Sequence, residues 1–150
     1  MKAVEQITDK PVVLESEFSL SNLKGKKVIS HSGDVVGKVK DIIIYNYGIT
    51  GILISKYMRP DLYVDRKFFD SFRQDAVVLK IDPITSIVGL DVLDCNGRRV
   101  GKVSRIERAD MTNVLVSFHV KRRIHQKDIT LKASDIQAIS QHVILNIELE

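Results

Sequence analysis

Apolar residues along this chain come in short bursts separated by turn formers. Val28-Ile29, Val35-Val36, Ile42-Ile43-Ile44, Ile52-Leu53-Ile54, Leu62-Tyr63-Val64 and Val77-Val78-Leu79 are each bounded by Gly, Asn, Asp, Ser or Pro. Bursts of this length, rich in β-branched residues, predict strands. The pattern predicts strands at 28–30, 35–45, 50–55, 62–64 and 76–81, with a basic, aromatic loop at 56–60. Residues 65–74, carrying Phe68, Phe69 and Phe72, read as one short helical stretch. Ser21 or Asn22 is placed to cap a single helical turn before the first strand. Residues 1–18 form an N-terminal leader: a short helix ended by Pro11, an extended Val12-Val13-Leu14, then a charged step. The leader is either a mobile extension or a segment that docks on a partner.

The same plan returns after Asp82-Pro83. Gly25, Val28, Gly33 and Val36-Gly37-Lys38-Val39 meet Gly89, Val92, Gly97 and Val100-Gly101-Lys102-Val103 at one constant offset. Glycine tolerates positive φ, so shared glycines imply shared turns. The second copy predicts strands at 92–93, 100–106, 112–117, 129–131 and 143–148. A hairpin turn falls at Asn96-Gly97 and a helical turn at 135–139. The expected fold is all-β: two tandem small barrels of about five to six strands each, with short helical turns, at 19–82 and 83–150. Each copy is small enough that the two should pack together or pair with a second chain.

Composition narrows the class. Apolar residues make up 44% and charged ones 28%, as in ordinary globular chains. No apolar run is long enough to span a membrane, and Glu5, Asp9 and Lys10 break any signal-peptide pattern, so the expected location is cytoplasmic. The net charge of +4 divides as +2 in each half, which gives no basic arm and no reason to invoke an anionic membrane. With one cysteine, Cys95, neither an intrachain disulfide nor a multi-cysteine zinc site is expected.

The residues Leu23-Lys24-Gly25-Lys26-Lys27-Val28, Gly33, Val36-Gly37-Lys38-Val39 and Ile42 resemble the opening of the PRC-barrel family. Its later segment is echoed by Ile129-Thr130-Leu131, Asp135-Ile136-Gln137-Ala138-Ile139 and Val143-Ile144-Leu145. The first copy departs there, with Phe68-Phe69 in place of the Asp-Ile turn. The resemblance implies a binding or assembly module. Relatives include a domain of a bacterial ribosome-maturation factor and stand-alone archaeal proteins tied to cell division through the membrane-anchoring protein SepF; the stand-alone type is the nearer match.

Candidate chemistry is sparse. His31, His119, His125 and His142 have no metal-ligand spacing. Gly33–Gly37 and Gly97–Gly101 read as hairpin-turn glycines, with no phosphate-loop signature. Cys95 lies in a turn, and His31, one position earlier in the matching turn, falls on the other copy, so the pattern gives this thiol no base in reach and argues against a catalytic pair. No catalytic constellation or nucleotide fingerprint stands out, so no enzyme, metal or cofactor is expected. The candidate partner-binding residues are Tyr57, Met58 and Arg59, in Lys56-Tyr57-Met58-Arg59-Pro60, and Lys121, Arg122 and Arg123, in the loop read at 119–125. Aromatic, Met and Arg side chains are enriched in interfaces. The expectation is a non-enzymatic protein–protein adaptor, on family grounds in archaeal cell division with a SepF-like or FtsZ-type partner. A homo- or hetero-dimer with another PRC-barrel protein fits the small core, without membrane insertion. The alternative is ribosome assembly, with the two loops on RNA phosphates.

Overall fold

Hydrogen bonding sorts the strands into two six-stranded sheets of identical order. The structure, a computed structural model, describes residues 5–10 and 20–149. The chain divides between Ile81 and Asp82 into two compact units. The first contains α1 (Leu20–Leu23), β1 (Lys27–Ile29), β2 (Val35–Tyr45), β3 (Gly48–Ser55), β4 (Leu62–Asp65), a 3-10 turn at Arg66–Phe68, β5 (Phe69–Phe72) and β6 (Ala76–Leu79). The second contains a 3-10 turn at Ile84–Ile87, β7 (Asp91–Leu93), β8 (Arg99–Arg108), β9 (Leu115–Lys121), β10 (Ile129–Lys132), a 3-10 turn at Ala133–Asp135, β11 (Ile136–Ile139) and β12 (Val143–Leu145). The orders are β4-β3-β2-β1-β6-β5 and β10-β9-β8-β7-β12-β11. Neighbours are antiparallel except β1 with β6 and β7 with β12.

Connectivity makes each sheet roll up. The edge strands β4 and β5 are consecutive in sequence and joined only by the turn at Arg66–Phe68. In a flat six-stranded sheet those edges would lie about 24 Å apart. A three-residue 3-10 turn advances only about 6 Å. The sheet must therefore curl until its edges nearly meet, which gives the barrel-type architecture. β10 and β11 are joined in the same way through Ala133–Asp135.

Alternation fills each interior. Val28, Val36, Val39, Ile42, Ile52, Ile54, Val64, Phe69, Val77 and Leu79 form the first core, closed at one end by Leu23. Val92, Val100, Val103, Phe118, Val120, Leu131, Val143 and Leu145 form the second, closed by Ile87. The shared glycines serve two purposes. Gly25, Gly33, Gly89 and Gly97 have positive φ and make turns. Gly37 and Gly101 instead lie inside β2 and β8, so they are not the turn glycines expected from the pattern. A Cβ at Gly37 would sit 2.4 Å from the Ser55 carbonyl oxygen, and one at Gly101 would sit 2.3 Å from that of Lys121.

Several expectations are corrected. Residues 65–74 are not helical: Asp65 caps one 3-10 turn by accepting from the Lys67 N–H, and the chain then becomes β5. Phe69 points into the core with the Phe72 ring edge-on to it at 5.4 Å. Of the helical turn expected at 135–139 only Asp135 belongs to one, the 3-10 turn at Ala133–Asp135; the rest is β11, which pairs with β12 and completes the sheet. The strand expected at 112–117 begins only at Leu115. Asn113 stays outside, accepting from the Ile84 N–H and donating to the Asp82 carbonyl. Ser21 and Asn22 lie inside α1 and do not precede it. Residues 5–10 form no helix, and the remaining leader features lie outside the described residues.

Candidate interaction surfaces

The two sheets share a register, so equivalent positions can be read across. Ile42, Ile52 and Val64 align across β2, β3 and β4, as Ile106, Phe118 and Leu131 do across β8, β9 and β10. These inward positions are apolar in both units. The outward rows are not alike. In the first unit they read Asp41–Leu53–Tyr63 and Ile43–Gly51–Asp65. In the second they read Arg105–His119–Thr130 and Glu107–Ser117–Lys132. One fold thus carries Ile43, Leu53 and Tyr63 between two aspartates on its outer face in one copy and a wholly polar outer face in the other.

The polar face is internally bonded. Ser117 donates to Glu107 Oε2 at 2.8 Å, and His119 Nε2 lies 3.2 Å from Glu107 Oε1 and 3.1 Å from Arg105 Nη2. His119 Nδ1 is 3.0 Å from Thr130 Oγ1. The Ser117 and His119 hydrogen bonds hold the Glu107 carboxyl below its ordinary range. A hydroxyl, an imidazole and a carboxylate in line suggest a relay, but they lie on an open sheet face and their bonds are spent on one another.

On the apolar face, the Tyr63 ring covers Gly51, where a Cβ would meet the ring at 2.6 Å. Ile43 and Tyr63 remain exposed by 37% and 46%. The face runs into the β2–β3 hairpin tip, where Ile44, Tyr45 and Tyr47 are exposed. Asn46 and Tyr47 occupy the left-handed region, with φ of 47° and 66°. Two left-handed residues suit the twist of a two-residue hairpin, but an aromatic there is strained. Beside the tip, Tyr45, Asn46, Gly48, Ile49, Thr50, Asp65 and Arg66 line an open groove of about 300 Å³.

Tyr57, Met58 and Arg59 lie in the β3–β4 loop, a tight turn in which the Arg59 N–H donates to the Lys56 carbonyl at 3.1 Å. Tyr57 and Met58 project outward at its apex. The counterpart loop is 122–128, and the reading of 119–125 as loop is corrected. His119 and Lys121 belong to β9, whose apolar Phe118 and Val120 enter the core. Lys121 ends the strand opposite Lys102, a like-charge cross-strand pair. Arg122 and Arg123 open the loop, which is pinned by the Arg122 N–H donating to Asp128 Oδ1 at 3.1 Å. The six candidate residues thus fall in or beside matching loops, one on each unit.

Cys95 and His31 occupy the same position, not adjacent ones. Their N–H groups donate to equivalent carbonyls, of Ile147 and Ile81. The residue before each is buried and polar. Ser30 Oγ accepts from the Asp34 N–H, and Asp94 Oδ1 accepts from the Asn96 and Arg98 N–H groups. Sequence pattern missed this pair because it sits beside turn glycines. Among the described residues, no group of three or more His, Cys, Asp or Glu is placed to hold a metal.

Together these features define a mostly-β protein of tandem, rolled six-stranded sheets. Residues 15–85 match the PRC-barrel domain family. The match covers the first unit, and the second repeats its strand order and registers. No curated protein matches the chain.

Proposed function

We propose that this protein is a non-enzymatic, cytoplasmic adaptor that binds a protein partner through the outer face of β2–β3–β4. The asymmetry between the two outer faces carries this reading. The second unit maintains the same fold with Glu107, His119 and Thr130 at the positions of Ile43, Leu53 and Tyr63. The fold therefore does not require apolar residues there. Ile43, Leu53 and Tyr63, extended by Tyr45 and Tyr47, supply the apolar and aromatic core typical of an interface. Strain at Tyr47 fits a side chain kept for contact, since glycine would be easier at that φ.

The resemblance to stand-alone archaeal PRC-barrel proteins makes a SepF-like division protein the first partner to test, with a second PRC-barrel chain as the other protein candidate. The test is capture of partners from nuclease-treated native lysate on the tagged chain, followed by mass spectrometry. Recovery of SepF- or FtsZ-type proteins supports the division adaptor. Recovery of ribosomal proteins that disappear at raised salt would replace it with ribosome assembly.

A further inference from the structure

The two matching loops share a design that the protein-binding face does not use. In each, a β-turn holds apolar side chains at its apex and cations beside them. In the β3–β4 loop the Arg59 N–H closes the turn onto the Lys56 carbonyl, which leaves Tyr57 91% and Met58 84% exposed. In the β9–β10 loop the Gln126 N–H donates to the Arg123 carbonyl at 2.8 Å, and Ile124 at the apex is 97% exposed. Lys121, Arg123 and Lys127 flank it in the chain and are exposed, while Arg122 is half-buried. Asp61 pairs with Lys40 at 2.6 Å, whereas Asp128 accepts from the Arg122 N–H and keeps its charge, so four cations against one carboxylate leave residues 121–128 at +3. The β9–β10 loop therefore offers an outward apolar tip in a net positive segment.

We infer that the β9–β10 loop docks the protein on an anionic phospholipid surface. Its Ile124 tip enters the headgroup boundary while Lys121, Arg123 and Lys127 lie against lipid phosphates, the arrangement of interfacial anchors. Charge complementarity selects an anionic partner, and the apex residue Ile124 favours lipid over nucleic acid. Isoleucine contributes nothing to phosphate recognition or base stacking, Phe118, the one Phe, Tyr or Trp of the second half, is buried in the core, and His125 is the only ring in this loop. Among the described residues no helix is long and apolar enough to cross a membrane. The attachment is peripheral, weak and sensitive to salt.

The chain contains no tryptophan, so Ile124→Trp gives a single fluorescent reporter in the full-length protein. With vesicles of phosphatidylcholine and phosphatidylglycerol, its emission shifts to the blue and the protein co-sediments. With phosphatidylcholine alone, neither occurs. Added salt reverses both. Arg123→Ala with Lys127→Ala weakens vesicle binding about 25-fold, about fivefold per cation removed. The triple substitution Ile43→Glu, Leu53→His, Tyr63→Thr leaves it unchanged, which separates this inference from the adaptor reading. Absence of both the shift and co-sedimentation with anionic vesicles overturns the inference. So does an equal response to neutral vesicles. Binding to homopolymeric RNA without any response to anionic vesicles overturns it and assigns the loop to nucleic acid.

Discussion

Replacing Gly101 by alanine tests the strand packing that defines both units. A Cβ at Gly101 would stand 2.3 Å from the Lys121 carbonyl oxygen and 2.9 Å from Val120 Cγ1. An ordinary contact needs about 1 Å more. The obstructing atom is backbone on β9, so no side-chain rotation relieves it. Either β9 shifts, disturbing the Val103–Val120 and Ile106–Phe118 pairs, or β8 bows outward. Overpacking of this kind costs about 1–3 kcal/mol, and a backbone obstacle places this case at the upper end. Gly97 provides the contrast: its φ is 78° but nothing lies within 4 Å of an added Cβ. Gly97→Ala should therefore cost only the left-handed penalty, about 1–2 kcal/mol. Urea and thermal denaturation followed by far-UV circular dichroism measure both. At about 4–8 °C per kcal/mol for a unit of this size, Gly101→Ala should lower Tm by about 12–24 °C. A Gly101→Ala protein no less stable than Gly97→Ala would refute the close approach of β8 and β9.

Other perturbations test individual features. Asp94→Ala removes the acceptor of two part-buried backbone N–H groups and should cost about 1 kcal/mol; Asp94→Ser, which copies Ser30, should recover part of the loss in the same denaturation assay. Tyr47→Gly removes a strained φ and should raise stability by about 1 kcal/mol in thermal melts while lowering partner capture. Glu107 titrates below its ordinary 4.5 because Ser117 and His119 bond its carboxylate. A depressed folded value means the stabilisation is present above 4.5 and is lost as pH falls through the lower folded value. Glu107→Gln should therefore flatten that part of the pH–stability curve, and an unchanged curve would sink the assignment.

The repeat and most strands were legible because β-branched bursts and paired glycines are local signals. β1, β2, β4 and the two hairpin glycines Gly33 and Gly97 follow from them directly. The features that went unread depend on pairing. β5 and β11 look helical in isolation because each directly follows a 3-10 turn, at Arg66–Phe68 and Ala133–Asp135, and only pairing with the next strand, β6 or β12, marks them as extended. The parallel β1–β6 pair leaves no local trace. The functional contrast was hidden by a register slip. Pattern aligned 112–117 with 50–55, but Ser55 actually corresponds to Lys121, because each pairs with the equivalent lysine, Lys38 or Lys102. The slip is four residues, an even number, so in–out alternation survives it and gives no warning. Only the true register sets Leu53 against His119 and Tyr63 against Thr130. The loop candidates were legible by composition, but their shared turn geometry was not.

The most direct test of the adaptor reading is to give the first unit the second unit's outer face. The variant Ile43→Glu, Leu53→His, Tyr63→Thr should fold, because the second unit carries those residues at the same register. Partner capture from native lysate, compared quantitatively with the original chain, is the measurement. The account predicts that a partner recovered by the original chain is lost with the folded variant. Undiminished recovery of that partner would contradict it.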